Sequence, residues 1–170
     1  MLVGIMSDTH DNLPAIRRAV ELFNRENVDL VIHCGDYVAP FVKRELSKLN
    51  APLKGVFGNN DGEREGLREA LGVEDEILEL TVDGFKVVVL HGTDERVVRA
   101  FTRSQAYDVV VRGHTHRYEI AENGRTLLLN PGEVSGYVSG VKSVAFLDTK
   151  KREVRIVDIE SEEILGLMSL

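Results

Sequence analysis

Five short, mostly apolar runs of this chain each lead into residues able to bind a metal ion. Residues 2–6 open onto Ser7-Asp8-Thr9-His10, and residues 30–32 onto His33-Cys34-Gly35-Asp36. Residues 53–57 are followed by Gly58-Asn59-Asn60-Asp61 and residues 87–90 by His91-Gly92. Residues 109–111 lead through Arg112 to Gly113-His114-Thr115-His116. Mixed imidazole and carboxylate donors suit Mn, Fe, Zn, Co or Ni better than Ca or Mg. An oxygen-only cage would not need His10, His91, His114 and His116. One ion takes three or four protein ligands, whereas Asp8, His10, Asp36, Asn59, His91, His114 and His116 offer seven. A pair of ions sharing a bridging carboxylate fits that number. Two ions roughly 3.5–4 Å apart can clamp an in-line displacement and make hydroxide from water near neutral pH. The residues therefore point to metal-assisted hydrolysis.

Each donor lies just past the carboxyl end of an apolar run, the place where open α/β sheets gather their sites. Gly35, Gly58, Gly92 and Gly113 let the backbone turn tightly near the donors. Between the runs, Asn12 caps a helix with Pro14 in its first turn. Its Leu13, Ile16, Val20 and Phe23 recur at the period of a buried helical stripe. Further helices are expected over residues 40–49 (Phe41, Val42, Leu46 and Leu49 inward), 63–71 and 95–104. Asp83-Gly84 joins strands over 77–82 and 85–90, and Asn123-Gly124 joins strands over 118–121 and 126–129. Strands over 143–147 and 153–159 flank a Lys/Arg-rich turn at 150–152. Strand–helix alternation followed by a meander predicts an α/β fold in one domain, residues 1–170. The apolar tail, residues 161–170, is left to dock on the body or on a partner copy.

Composition narrows the setting. A chain of 170 residues with 43% hydrophobic and 29% charged residues reads as globular. No stretch approaches the roughly 18 apolar residues of a membrane span, and the N-terminus lacks the features of a signal peptide. The single cysteine, Cys34, excludes an intramolecular disulfide framework and fits a reducing cytoplasm. A net charge of −7 leaves no broad basic footprint for duplex nucleic acid. Bound metals would still let an anionic phosphoester dock. An aromatic content of 6% without Trp disfavours a nuclease that stacks single-stranded bases.

Asp8-x-His10, Gly35-Asp36, Gly58-Asn59-Asn60-Asp61, His91-Gly92 and Gly113-His114-Thr115-His116 together resemble the calcineurin-like metallophosphoesterase superfamily. The resemblance is nearest to its small single-domain branch of bacterial and archaeal phosphodiesterases. It spans about residues 1–160 and includes Asn130-Pro131-Gly132. It implies a four-layer α/β/β/α sandwich of two mixed β-sheets flanked by helices. It assigns Asp8, His10 and His116 to one divalent ion, Asn59, His91 and His114 to the other, and Asp36 to both. Mn is the expected metal, with Ni, Fe, Co or Zn compatible. A hydroxide between the ions would attack phosphorus in line with the leaving alkoxide of a small phosphoester substrate. The resemblance also suggests a homo-oligomer, a dimer or tetramer.

Many members of that superfamily carry His where this chain has Asn60, the one candidate catalytic residue outside the ligands. Asn60 cannot act as a general acid near neutral pH, although its amide can hydrogen-bond a phosphoryl oxygen. The competing reading is a non-catalytic protein-interaction scaffold, because one eukaryotic retromer subunit resembles this fold yet lacks part of the metal set. The complete donor set here favours catalysis. Outside that set, His33 reads as a core or ligand-orienting residue and Cys34 as packing. Asp61 reads as a helix cap ahead of a supporting carboxylate. Arg112, Arg117 and Glu63-Arg64-Glu65 read as solvated surface, and Asn130 and Gly132 as the pocket rim.

Overall fold

In the computed structural model, which describes residues 1–170, β1 (Leu2–Met6) lies inside a six-stranded sheet. β2 (Leu30–His33) and β3 (Leu53–Gly55) extend it in parallel. On its other side β9 (Ser143–Asp148), β10 (Glu153–Asp158) and β11 (Ile164–Ser169) continue it antiparallel, in the order β11-β10-β9-β1-β2-β3. The second sheet comprises β4 (Ile77–Val82), β5 (Phe85–Leu90), β6 (Val109–Val111), β7 (Tyr118–Asn123) and β8 (Thr126–Pro131). Its order is β4-β5-β6-β8-β7, with the three inner strands parallel and the outer two antiparallel.

The sheets share a core in which Val3, Ile5 and Ile32 pack with Val87, Val89, Val109, Val111 and Leu129. On the outer face of the first sheet lie α1 (Leu13–Arg25), α2 (Lys43–Leu46) and α3 (Arg64–Leu71). They bury Ile16, Phe23, Leu46 and Leu67 with Met6, Val31 and Phe146. The second sheet is covered by α4 (Glu95–Ser104), whose Val98 packs with Val88, Leu90 and Val110. These layers make the expected α/β/β/α sandwich. A Cβ on Gly4 of β1 would stand 2.7 Å from the Phe23 ring, so glycine lets α1 lie close to the sheet. No helix is long and apolar enough to cross a membrane.

Local signals translate with a few changes. Asn12 caps α1 by accepting from the Ala15 N–H at 3.3 Å, and Pro14 sits in the first turn. Asp83 and Gly84 both have positive φ, 46° and 87°, which is the geometry of a type I′ hairpin. In the second hairpin Asn123 pairs with Thr126, so the turn residues are Gly124-Arg125, one position later than expected. The tail forms β11 and pairs with β10, leaving Ile164 and Leu167 more than half exposed. The helix expected over 40–49 is instead a 3₁₀ turn at Pro40–Val42 followed by the four residues of α2, and Phe41 faces solvent at 53% exposure. Val42 and Leu46 are buried and Leu49 packs against the same core, as expected, and an ionic cluster adds to that anchor. Buried Glu45 accepts from Arg17 at 3.1 and 3.2 Å and from Lys48 at 2.5 Å.

Arg17, and then Lys48, hold the Glu45 carboxyl at about 2, below the ~4.3 of an unfolded glutamate. A carboxyl depressed on folding stabilises the protein above its unfolded pKa and loses that contribution as pH falls through the folded value. Glu45→Gln is therefore expected to lower Tm by a few degrees at pH 7. The deficit should shrink between about pH 4 and pH 2. Thermal melts followed by circular dichroism check this, and an equal deficit at both ends contradicts it.

Candidate metal centre

The carboxyl ends of β1, β2, β3, β5 and β6 meet at one end of the sandwich, and the donors sit in the turns that follow. Five of them have left-handed backbones: Asp8 (φ 53°), His10 (41°), Asp36 (60°), His114 (68°) and His116 (60°). Such a conformation costs roughly 1–2 kcal/mol for a residue with a Cβ, and clusters of it mark functional sites. Cross-strand bonds hold the turns in place. Asp8 N–H donates to Gly35 O and His10 N–H to Asp36 O, each at 3.1 Å. The His114 N–H donates to Asp8 Oδ2, also at 3.1 Å. Two glycines are required by close approach rather than by turning. A Cβ on Gly58 would lie 2.1 Å from Asp36 Oδ1, and one on Gly113 1.9 Å from Ser7 Oγ.

Asp8, Asp36 and His91 are buried, and the side chains of His10 and His116 are nearly so. Asp8 Oδ1 stands 3.8 Å from His10 Nε2, 3.6 Å from His116 Nε2 and 4.0 Å from His91 Nε2. Asp36 Oδ2 lies between His10 Nε2 at 3.6 Å and His91 Nε2 at 3.3 Å. Two groups of donors are thus compact enough to hold an ion: Asp8, His10 and His116, and Asp8, Asp36 and His91. His114 is adjacent, its ring centroid 5.2 Å from that of His91. Among the carboxylates and imidazoles, His114 stands outside the two compact groups. Asn59 is exposed and accepts from Thr93 Oγ1 at 3.3 Å. Asn60 bonds Asp36 twice, through its N–H to Oδ1 at 2.8 Å and its Nδ2 to Oδ2 at 2.7 Å.

The tautomers of two rings can be read from their far sides. His91 Nδ1 donates to Cys34 O at 2.8 Å, and His116 Nδ1 to Glu133 Oε2 at 2.8 Å. In the neutral rings Nε2 therefore carries a lone pair, aimed at carboxylate oxygens that can only accept. Asp8 Oδ1, His10 Nε2 and His91 Nε2 are buried without a hydrogen-bond partner. Acceptors facing acceptors in a dry site call for a cation between them, and this donor set fits a divalent transition metal. The charges respond accordingly. Asp8 pushes the His10 pKa up against burial, and Asp36 does the same for His91. Burial opposes ionisation of Asp36, but His91, its Nε2 3.3 Å away, and two bonds from Asn60 hold its carboxyl well below the usual range.

A second ring of residues fixes the donors. Asp61 does not cap α3, whose cap is Glu63; its carboxylate accepts from the N–H groups of Asp36 (2.9 Å), Val38 (2.8 Å) and Gly58 (2.7 Å). It thereby clamps the turns after β2 and β3 and holds Val38, a β-branched residue at φ 87°. Arg112 is not solvated. It is 3% exposed, donates to Gly92 O (3.1 Å) and Gly113 O (3.2 Å), and pairs with Glu95. This ties the turn after His91 to the one before His114. Arg117 is exposed as expected. Asn130 holds the turn between Gly113 and Thr115, donating to Gly113 O at 3.0 Å and Thr115 Oγ1 at 2.9 Å. His33 is buried, stacks on Tyr37 and is held neutral, its pKa pushed down by burial to about 3. Glu133 was not among the expected residues. Fully buried, it accepts from His116, Ser135 Oγ and Ser139 Oγ, and burial is outweighed by these bonds so that its pKa falls to about 2. Its signal was its place directly after Asn130-Pro131-Gly132.

Fold and donor set together define a metal-dependent hydrolase. The pattern of the calcineurin-like phosphoesterase superfamily domain matches residues 1–152. The chain belongs to that superfamily and is a phosphoester hydrolase. It is 45% identical over 166 residues to a phosphodiesterase of Methanocaldococcus jannaschii, covering 94% of this chain and 100% of that protein. A solved archaeal phosphodiesterase superposes with a TM-score of 0.89 at 44% identity, covering 93% of this chain and 99% of the other. Vacuolar protein sorting 29 of Cryptosporidium parvum shares the fold, with a TM-score of 0.75 at 21% identity over 99% and 98% of the two chains.

Removing a partner that orients a metal-binding imidazole commonly costs about 10–100-fold in metal affinity. Glu133→Ala is expected to weaken Mn²⁺ binding within that range, as read by calorimetric titration of metal-stripped protein. Unchanged affinity would show that Glu133 serves only its own loop.

Proposed function

We propose that this chain is a metal-dependent phosphodiesterase with a two-ion centre. Asp8, His10 and His116 would hold one ion and Asn59, His91 and His114 the other, with Asp36 reaching both. The observation that carries this reading is the buried trio of Asp8 Oδ1, His10 Nε2 and His91 Nε2, which face one another without partners. When bound, divalent ions supply charge for the phosphoryl oxygens and bring water's pKa toward neutrality. Mn is the metal proposed, and Ni, Fe, Co or Zn would fit the same donors.

The chain's own residues set the rest of the chemistry. His91 and His116 are oriented by Cys34 O and Glu133, so their Nε2 atoms stay available as ligands. Asn60 fixes the Asp36 carboxylate by two bonds and has no proton to give a leaving group. Hydroxide drawn from water attacks phosphorus in line, the bond to the leaving oxygen breaks, and a monoester and an alcohol are released. Without a general acid, good leaving groups are favoured. The phosphodiesterase identity of the Methanocaldococcus jannaschii relative supports diesters as the substrate class. We place this activity in a single domain over residues 1–170, in the cytoplasm, acting on a small phosphoester as a dimer or tetramer. The alternative, a protein-interaction scaffold, has the likeness to vacuolar protein sorting 29 behind it, and at 21% identity that likeness speaks for the fold alone.

Metal-stripped protein reloaded with Mn²⁺ is expected to hydrolyse bis(p-nitrophenyl) phosphate faster than p-nitrophenyl phosphate, and neither without metal. No turnover of either ester with any divalent ion contradicts the proposal and favours the scaffold. A general acid contributes typically 10²–10⁴-fold, so Asn60→His is expected to raise monoester turnover relative to diester turnover by about tenfold or more. A ratio equal to that of the unchanged protein removes Asn60 from the account of specificity.

A further inference from the structure

A cavity of about 350 Å³ opens directly beside the metal centre, with Asn59 and His91 in its wall. Its volume falls at the lower end of the roughly 300–1,000 Å³ of small-molecule sites. Phe57, Ile77, Leu90 and Val97 supply its apolar lining. Ile77 and Val97 are 44% and 37% exposed there, large apolar side chains that nothing in the chain covers. The Arg64 guanidinium lies 5.0 Å above the centre of the Phe57 ring and pairs with Glu76 at 2.7 Å. It therefore presents a flat, polarised surface whose charge is already balanced.

The charges offer a second phosphate no free partner. Arg64, the only cation in the lining, is paired with Glu76, and Asp94 is paired with Arg96 outside it. A further anion would find no unpaired cation there. An uncharged ring system fits instead: its faces match the apolar lining and the Arg64–Phe57 stack, and its edge donors match Glu76. Continuity with Asn59 and His91 places such a group next to the phosphorus undergoing attack. Resting on the phosphodiesterase reading above, we propose that this cavity binds the base of a nucleoside retained on the phosphodiester, which makes nucleoside diesters the substrate class. Arg64 and Val97 then act in specificity, and the stretch Glu63-Arg64-Glu65 is more than a solvated face.

The test compares two diesters with the same leaving group, thymidine 5′-(p-nitrophenyl phosphate) and methyl p-nitrophenyl phosphate. In each, water adds to phosphorus, the bond to the aryl oxygen breaks, and p-nitrophenolate leaves with the thymidine or methyl monoester. Filling or emptying an apolar pocket changes kcat/KM by about tenfold or more. The metal-loaded protein is expected to prefer the thymidine ester by about that factor. Val97→Trp, on an exposed helix face, and Ile77→Trp, on the edge strand β4, are each expected to collapse the preference toward one. A preference near one in the unchanged protein, or one that both variants leave intact, overturns the proposal. A second readout is independent of turnover. Thymidine titrated into Zn²⁺-loaded protein is expected to shift the backbone amides of Phe57, Arg64 and Val97. If neither diester were hydrolysed, the phosphodiesterase reading would fall, and these shifts alone would decide the subsite: their presence upholds it and their absence overturns it.

Discussion

Asp8 and Asp36 bring two carboxylates into the interior, and neither has a Lys or Arg beside it. Their neighbours are imidazoles, and those of His91 and His116 have their outer nitrogens committed to Cys34 O and Glu133. An uncompensated buried charge costs several kcal/mol, so the site is stable only with positive charge inside it. Protons supply some of that charge when no ion is bound, which is why the pKa values of His10 and His91 are pushed up. A divalent ion competes with those protons, and its affinity must rise with pH.

The sandwich exists in a form that can carry this local cost. Parallel strands from both sheets end at one rim, and buried apolar layers on each side fix the strand ends. Beyond the rim the backbone enters left-handed turns at five donors, and separate clamps hold them. Asp61 binds the turns after β2 and β3 to each other. Arg112 joins the turn at Gly92 to the turn at Gly113. Glu133 ties His116 to the loop from Ser135 to Ser139. Each clamp is a buried charge satisfied by several bonds, so strain at the donors is held by groups that are themselves fixed.

Candidate donors could be named because a metal site demands particular side chains at strand ends, and strand ends announce themselves through apolar runs followed by glycine. The hairpin at Asp83-Gly84 was legible for a similar reason, since few residues tolerate positive φ in succession. The clamps were not. Asp61 has the composition of a helix cap, and Arg112 that of a surface cation; only the fold shows that backbone N–H and C=O groups from distant turns surround them. Glu133 lies far in sequence from His116, and the contact depends on β7 and β8 pairing back across the site. In the 40–49 stretch the inward positions Val42, Leu46 and Leu49 were legible from the apolar period, whereas the shortness of α2, the exposure of Phe41 and the burial of Glu45 beside Arg17 of α1 were not. Asn59 and His114 were named from the motif; of the two, His114 lies beside the compact groups of carboxylates and imidazoles, its ring centroid 5.2 Å from that of His91.

Crystals of the full chain grown with Mn²⁺ and measured at the manganese absorption edge test the central claim most directly. The account predicts two anomalous peaks per chain, roughly 3.5–4 Å apart, with Asp36 between them. A single peak, or two that do not share Asp36, would contradict it.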